Sequence, residues 1–439
     1  MSVKPEDVLN ILKKWMLVDG FDIVIDMEKS QGSYIIDARN GKKYLDFYTF
    51  FGSSALGMNH PKLNNDEFKE KIFKPSINKV ANSDIYTTYM AEFVDTFSRV
   101  AMPDYMKHMF LISGGALAVE NALKVAFDWK VRKNFAKGLK EEKGHKVIHF
   151  KDAFHGRTGY TLSLTNTADP RKHMYFAKFK WPRVLNPKIT FPLDEHIDDV
   201  KRAEEKSISQ INEAIERDGD DIAALIIEPI QCEGGDNFFR KEFFQELRKI
   251  CDENEIMLIF DEVQTGCGLT GKMWAHEYYV KPDILSFGKK FQVCGIIANK
   301  RVDEVEKNCF EESSRINSTW GGNIVDMVRA TRILEIIEED KLVENARKQG
   351  EFLLKMLKDI QEDYPDIVSN VRGLGLLCSF DMPDTKMRDE FRKMAFEEGM
   401  ILLPCGERSI RFRPILCIEK EQIIEADEKI RNVLNKMKK

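Results

Sequence analysis

The 439-residue sequence is poor in cysteine and carries no recognisable metal signature. Its eight cysteines, at 232, 251, 267, 294, 309, 378, 405 and 417, form no CxxC pair and do not cluster. That argues against a disulfide framework in a chain this large. The eight read as buried small hydrophobes, and a cytoplasmic location is the default expectation. HExxH is absent. His145 and His149 have the spacing of a metal pair, but they fall in KVIHF, a strand pattern. Four residues of a strand span about 13 Å, too far for one ion, so no metal is expected. No sign of charge dominates either: 67 basic against 72 acidic residues give −5. This leaves no electrostatic footprint for nucleic acid or an anionic membrane. No apolar run approaches the roughly 20 residues of a membrane span. The start, MSVKPEDVLN, lacks the basic segment and apolar core of a secretory signal. Repeats and low-complexity tracts are missing too.

What is present is an apolar content of 43%, enough for a large core and roughly two or three domains. Between Ile222 and Lys290 stand three short apolar runs, each ending at a charge: ALII at Glu228, MLIF at Asp261, ILSF at Lys289. Each reads as a buried strand. RKEFFQELRKICDENE, with apolar positions at helical spacing, separates the first two. Strand, helix and buried strand make a βαβ unit, so those two strands run parallel. Open α/β sheets bind ligands at the carboxyl ends of such strands, which places Glu228 and Asp261 at one edge. Lys289 joins them if the third strand is parallel.

Around this stretch the pattern is α/β. PEDVLNILKKWML reads as a helix with Pro5 near its start. SYIIDARNGKKYLDF reads as a hairpin turning at Asn40–Gly41. FFGSSALGMNHP, small and Gly-rich, reads as an ordinary connector. Met109–Ile112 reads as a strand followed by SGGALAVENALKVAFDWK, a glycine turn opening a long helix. That geometry makes an anion site, although Gly114–Gly115 also fits a plain tight turn. KVIHFKDAFHGRTG gives a strand and a loop carrying Phe154, His155 and Arg157. FQVCGIIANK reads as a further strand, RINSTWGGN as a polar loop. Two long helices then run to a break at Pro365, and an α+β segment completes the chain. Gly266, Gly271 and Lys272 imitate a phosphate-loop NTPase signature. It is one residue short, and Met273 stands where a Mg²⁺-binding hydroxyl is required.

An acid and a lysine at strand ends, a glycine turn on a helix start and arginines in loops suit pyridoxal phosphate. That cofactor needs an amine for a Schiff base, an anion against its ring nitrogen and donors for its phosphate. A desolvated lysine near other cations has a lowered pKa and becomes nucleophilic. Spacing alone does not separate Lys289 from Lys290.

IIEPIQCEGG, FDEVQTG, SFGKK, NSTWGGN and SIRFRP together resemble the class-III pyridoxal phosphate aminotransferases of fold type I, over nearly the whole chain. Much of that class writes the phosphate turn as S-G-[ST]-E-A. Ser113-Gly114-Gly115-Ala116 departs from it and, with AFHGRT, QVCG and the paired lysines, is similar to the lysine 6-aminotransferase branch. The resemblance implies an α/β fold. Its large domain, residues 61–325, would hold a mostly parallel seven-stranded sheet covered by helices. Residues 326–439 would form a smaller α+β domain, with residues 1–60 packing on it. It implies that Lys289 carries the Schiff-base linkage and shuttles the proton, and that Asp261 pairs with the ring nitrogen. Gln264 would donate to the phenolic oxygen. Phe154 and Val263 would cover the ring faces, and the amides of Gly115 and Ala116 would bind the phosphate. Thr319 would reach that phosphate from the other subunit of a homodimer. Glu228 would be a supporting carboxylate.

For substrates, the resemblance implies Arg157 for the far carboxylate and Arg411 for the near, α-carboxylate of glutamate or 2-oxoglutarate. Glu233 would pair with Arg411 while lysine reacts and swing away for the second half-reaction, since a buried charge without compensation is costly. Arg413, two residues on, is read as structural. The expected reaction is L-lysine + 2-oxoglutarate giving 2-aminoadipate 6-semialdehyde and L-glutamate, in ping-pong order. Ornithine and 4-aminobutyrate enzymes share this machinery. A non-catalytic binding protein on the same fold would be expected to have lost Lys289 or Asp261.

Overall fold

The run Ile222–Ile227 is buried at every position, as a strand covered on both faces must be. It lies inside a seven-stranded sheet in a computed structural model that describes residues 3–80, 82 and 84–438. The strands are β1 (Met106–Ile112), β2 (Lys146–Phe150), β3 (Arg183–Val184), β4 (Ile222–Ile227), β5 (Met257–Asp261), β6 (Ile284–Phe287) and β7 (Cys294–Asn299). Their order is β1-β7-β6-β5-β4-β2-β3. All neighbours pair parallel except β7, which runs antiparallel to both β1 and β6. The third apolar run is therefore parallel to the second, which brings Lys289 to the edge that holds Glu228 and Asp261. The first strand starts at Met106, three residues before its apolar core suggested.

Side chains alternate across a strand, and the sheet's two cores show it. Ala224, Ile226 and Ile259 pack against α1 (Gly115–Ala136) through Ala118, Ala122 and Leu123. Leu225, Leu258 and Phe260 face the other way, onto Phe243, Phe244 and Leu247 of α2 (Lys241–Glu253). Carried past the strand ends, the same alternation turns Glu228 and Asp261 toward α1. Both carboxylates and the N-terminus of that helix thus share one face and one edge.

α3 (Ile324–Glu339) and α4 (Leu342–Asp363) lead to a four-stranded antiparallel sheet. Its strands are β8 (Ser369–Leu374), β9 (Leu377–Asp381), β10 (Leu403–Cys405) and β11 (Ser409–Phe412), in the order β8-β9-β11-β10. The N-terminal hairpin, Tyr34–Ile36 against Lys43–Asp46, is extended by Met400–Ile401 lying parallel to its second strand. The N-terminal hairpin is tied to the C-terminal segment there. Among the described residues no helix is long and apolar enough to cross a membrane.

Candidate active site

A cavity of about 610 Å³ opens at the carboxyl edge of the sheet, lined by Gly115, Ala116, Glu228, Asp261, Lys289 and Arg411 among others. Its size lies in the range of small-molecule sites. Phe154, Arg157, Glu233, Val263 and Gln264 also line it. Ten of the eleven candidates other than Lys290 and Thr319 are drawn from five separate strand–loop junctions, and Arg411 comes from β11. Thr319 is exposed and stands outside this cavity. Lys290 is buried, its Nζ donating to the Gln264 carbonyl at 3.4 Å, while Lys289 faces the cavity.

Asp261 is fixed on three sides. Oδ1 accepts from the Val263 amide and the Ser286 hydroxyl, each at 3.1 Å. Oδ2 lies 2.8 Å from His155 Nδ1. An ionised carboxylate only accepts, so Nδ1 carries the proton in that pair. His155 is fully enclosed, and its Nε2 has no hydrogen-bond partner among the described residues. Glu228 accepts from the amides of Phe154 at 2.9 Å and Cys232 at 3.2 Å. Burial, reinforced by the Asp261 charge, pushes its carboxyl well above the usual range. Glu228 thus anchors the loop that carries Phe154 and His155.

Lys289 adopts a left-handed backbone, φ 51°, two residues past the end of β6. Its Nζ donates to the Phe51 carbonyl at 2.9 Å. Burial, then the neighbouring Arg411 charge, pulls its ammonium down to about 8. Across the cavity α1 begins at Gly115, and the amides of its first turn have no intrahelical acceptor. A side chain at Gly115 would meet Val263 Cγ1 at 2.9 Å, so only glycine lets the helix start and Val263 come this close.

Arg411 is 3% exposed, and its Nη2 donates to Glu233 Oε2 at 2.8 Å. Nη1 reaches Gln264 Oε1 at 3.3 Å, and Nε is buried without a partner among the described residues. Arg413, just past the end of β11, pairs with the buried Asp236 and donates to the Phe412 carbonyl at 2.8 Å. Arg157 is exposed and lies 5.9 Å from the Phe154 ring. A second cavity of about 740 Å³ shares Phe51, Arg157, Glu233 and Arg411 with the first and forms an antechamber.

Sequence reasoning missed three contributors. The segment from Phe50 to Pro61 is not a plain connector: Phe50 and Phe51 line the cavity. Thr49, Phe50 and Phe51 hold φ of 45°, 53° and 61°, a strained conformation for residues with side chains. Asp46 accepts from the Tyr48 and Thr49 amides at 2.8 Å each, and Thr49 donates to the Arg413 carbonyl at 2.7 Å. No glycine marks the left-handed positions, so the sequence gives no turn signal there. His155 was visible only as a loop residue beside Phe154. Lys172, ion-paired to Glu233, sits in a short 3₁₀ turn with no pattern to single it out.

The site has the donors a phosphorylated pyridine aldehyde needs: free helix amides, a fixed carboxylate, two apolar faces and an amine of lowered pKa. The profile of the family described as Aminotransferase class-III matches residues 17–434. The L-lysine-epsilon aminotransferase of Mycobacterium tuberculosis is 49% identical over 432 residues, 98% of this chain and 96% of that protein. That of Streptomyces clavuligerus is 45% identical over 430 residues, 97% and 93% of the two chains. The solved lysine aminotransferase from M. tuberculosis in the internal aldimine form superposes with a TM-score of 0.97 at 49% identity, covering 99% of each chain.

Proposed function

The chain belongs to the class-III aminotransferases, and from that premise we propose that it transfers the ε-amino group of L-lysine to 2-oxoglutarate. The products are L-glutamate and 2-aminoadipate 6-semialdehyde, which closes to piperideine-6-carboxylate. The two half-reactions alternate in ping-pong order. The observation that carries this reading is the Arg411–Glu233 pair beside Lys289: a buried carboxylate receptor supplied with its own removable counter-charge. The activity named for the Mycobacterium and Streptomyces relatives supports lysine as donor.

Pyridoxal 5'-phosphate, when bound, supplies an aldehyde that accepts amines and a ring that withdraws electrons. Gly115 and Ala116 would hold its phosphate, Phe154 and Val263 its faces, and Gln264 its phenolic oxygen. Asp261 would keep a proton on the ring nitrogen, and His155, Ser286 and the Val263 amide keep Asp261 in place. Lys289, neutral more readily than an exposed lysine, takes the proton from the substrate's amine-bearing carbon. Arg157 receives the far carboxylate of either substrate by a bidentate fork. When lysine presents its ε-amine, no carboxylate reaches Arg411, and Glu233 supplies the charge. When 2-oxoglutarate enters, its near carboxylate replaces Glu233. Thr319, exposed in a single chain, would complete the phosphate site of a partner subunit in a homodimer. The eight free cysteines suit a cytoplasmic enzyme.

Ornithine is one methylene shorter than lysine, a difference worth about 1–3 kcal/mol in a pocket, so the donor is decided by assay. Purified protein is given lysine, ornithine or 4-aminobutyrate with 2-oxoglutarate, and the carbonyl product is identified. Lysine should turn over fastest and yield the cyclised semialdehyde. Faster turnover of another donor, or only the α-keto product from lysine, would overturn the assignment.

A further inference from the structure

Glu233 is held by two cations, and only one of them belongs to the arrangement described above. Oε2 accepts from Arg411 Nη2 at 2.8 Å, while Oε1 accepts from Lys172 Nζ in a close ion pair. The two partners have different settings. The Arg411 side chain is 3% exposed and faces the main cavity. The Lys172 side chain is 21% exposed and borders the antechamber and an adjoining cleft that also holds Arg388 and Arg392. Lys172 lies outside the main cavity, so it acts on the chemistry only through Glu233.

The backbone of Glu233 is pinned. Its carbonyl accepts from the Gly406 amide at 2.9 Å, and the preceding Cys232 carbonyl accepts from the Gly235 and Asp236 amides at 3.3 and 3.1 Å. Gly234 packs so tightly that a side chain there would meet the Asp152 carbonyl oxygen at 2.1 Å. Displacement of the carboxylate from Arg411 must therefore be a side-chain rotation. A carboxylate that rotates away from a buried guanidinium to no other partner is left partly buried and uncompensated, which is strongly unfavourable. With one oxygen on each cation, Glu233 can release the first and keep the second.

Resting on the switch reading of Glu233, we propose that Lys172 is the pivot of that switch. It is a positioning residue that retains Glu233 when the near carboxylate of a dicarboxylic substrate takes Arg411, and it thereby sets the balance between the two half-reactions. Electrostatics fit this role. Burial pushes the Glu233 carboxyl up, but Arg411 and Lys172 together more than reverse it and hold it below the usual range. The group stays ionised, so its movement is a movement of charge between two cations. Lys172 itself ends a one-turn 3₁₀ helix whose first amide, that of Arg171, is capped by the Asp169 carboxylate at 3.1 Å.

The test measures each half-reaction separately on the full-length holoenzyme carrying Lys172→Met or Lys172→Arg. With methionine, KM for 2-oxoglutarate should rise about tenfold, equivalent to ~1.4 kcal/mol. The lysine half-reaction should change by less than about twofold, the scale of a partly exposed ion pair. Lys172→Arg should restore 2-oxoglutarate binding. In a Glu233→Gln background, Lys172→Met should add nothing to either half. Equal losses in both halves, or an undiminished effect in the Glu233→Gln background, would overturn the pivot. If Glu233→Gln shifts the balance between halves and Lys172→Met does not, the pivot alone falls. If Glu233→Gln leaves that balance unchanged, the switch itself is refuted and the pivot with it.

Discussion

Single residues here divide by what their charge faces. Arg411 and Arg413 are both buried arginines on one strand end, yet they serve different ends. Arg413 spends both Nη atoms within the protein, on Asp236 and on backbone carbonyls. Arg413→Met should leave the Asp236 carboxylate stranded and lower stability by about 3–5 kcal/mol, read as a lower urea midpoint. Arg411→Met should instead keep the fold and lose the 2-oxoglutarate half-reaction. Lys289 offers a pH test. Its amine is pulled down to about 8 by burial and by Arg411, so it becomes neutral and reactive as pH rises through 8. Competitive acetylation of the cofactor-free protein, read by mass spectrometry, should show Lys289 modified with a midpoint near 8. Because Arg411 lowers that value, Arg411→Met should move the midpoint upward; an unchanged midpoint would remove Arg411 as a cause.

At the level of elements, the site depends on where strands stop and one helix starts. The parallel strands were legible because β4 and β5 are apolar throughout and bracket an amphipathic helix, and because each ends in a charge. Glu228 and Asp261 followed from the parallel pairing, which puts strand carboxyl ends on one edge, and Lys289 from the third run once it too is parallel. The left-handed turn at Thr49–Phe51 was not legible, since tertiary bonds from Asp46 and to the Arg413 carbonyl hold it rather than glycine. Likewise the partner of Asp261 and the second partner of Glu233 are side chains brought together across more than 60 positions of sequence, with no periodicity to announce them. The start of α1 gives the element-scale prediction. Gly115→Ala would push Val263 from its place, so cofactor retention on dialysis should weaken while the circular dichroism spectrum is kept. Retention equal to the parent would show that the close approach does not matter.

For the whole molecule, the exposed Thr319 stands outside the cavity of its own chain. If Thr319 serves a partner, a hybrid of Lys289→Ala and Thr319→Ala subunits should contain one site with both defects and one with neither. Purified through two different tags, it should recover about half the parent activity; activity no better than the sum of the two inactive parents would place Thr319 elsewhere. On the proposed reading, the two cavities and the switch serve one requirement, that a single pocket accept an amine far from its carboxylate and then an acid with carboxylates at both ends. The direct measurement is to supply L-lysine labelled with ¹⁵N at the ε-position together with 2-oxoglutarate and to follow the label. It should appear in the α-amino group of glutamate, with unlabelled α-amine retained in the cyclised product. Unlabelled glutamate would show that the α-amine is the one transferred and would contradict the role given to Arg411 and Glu233.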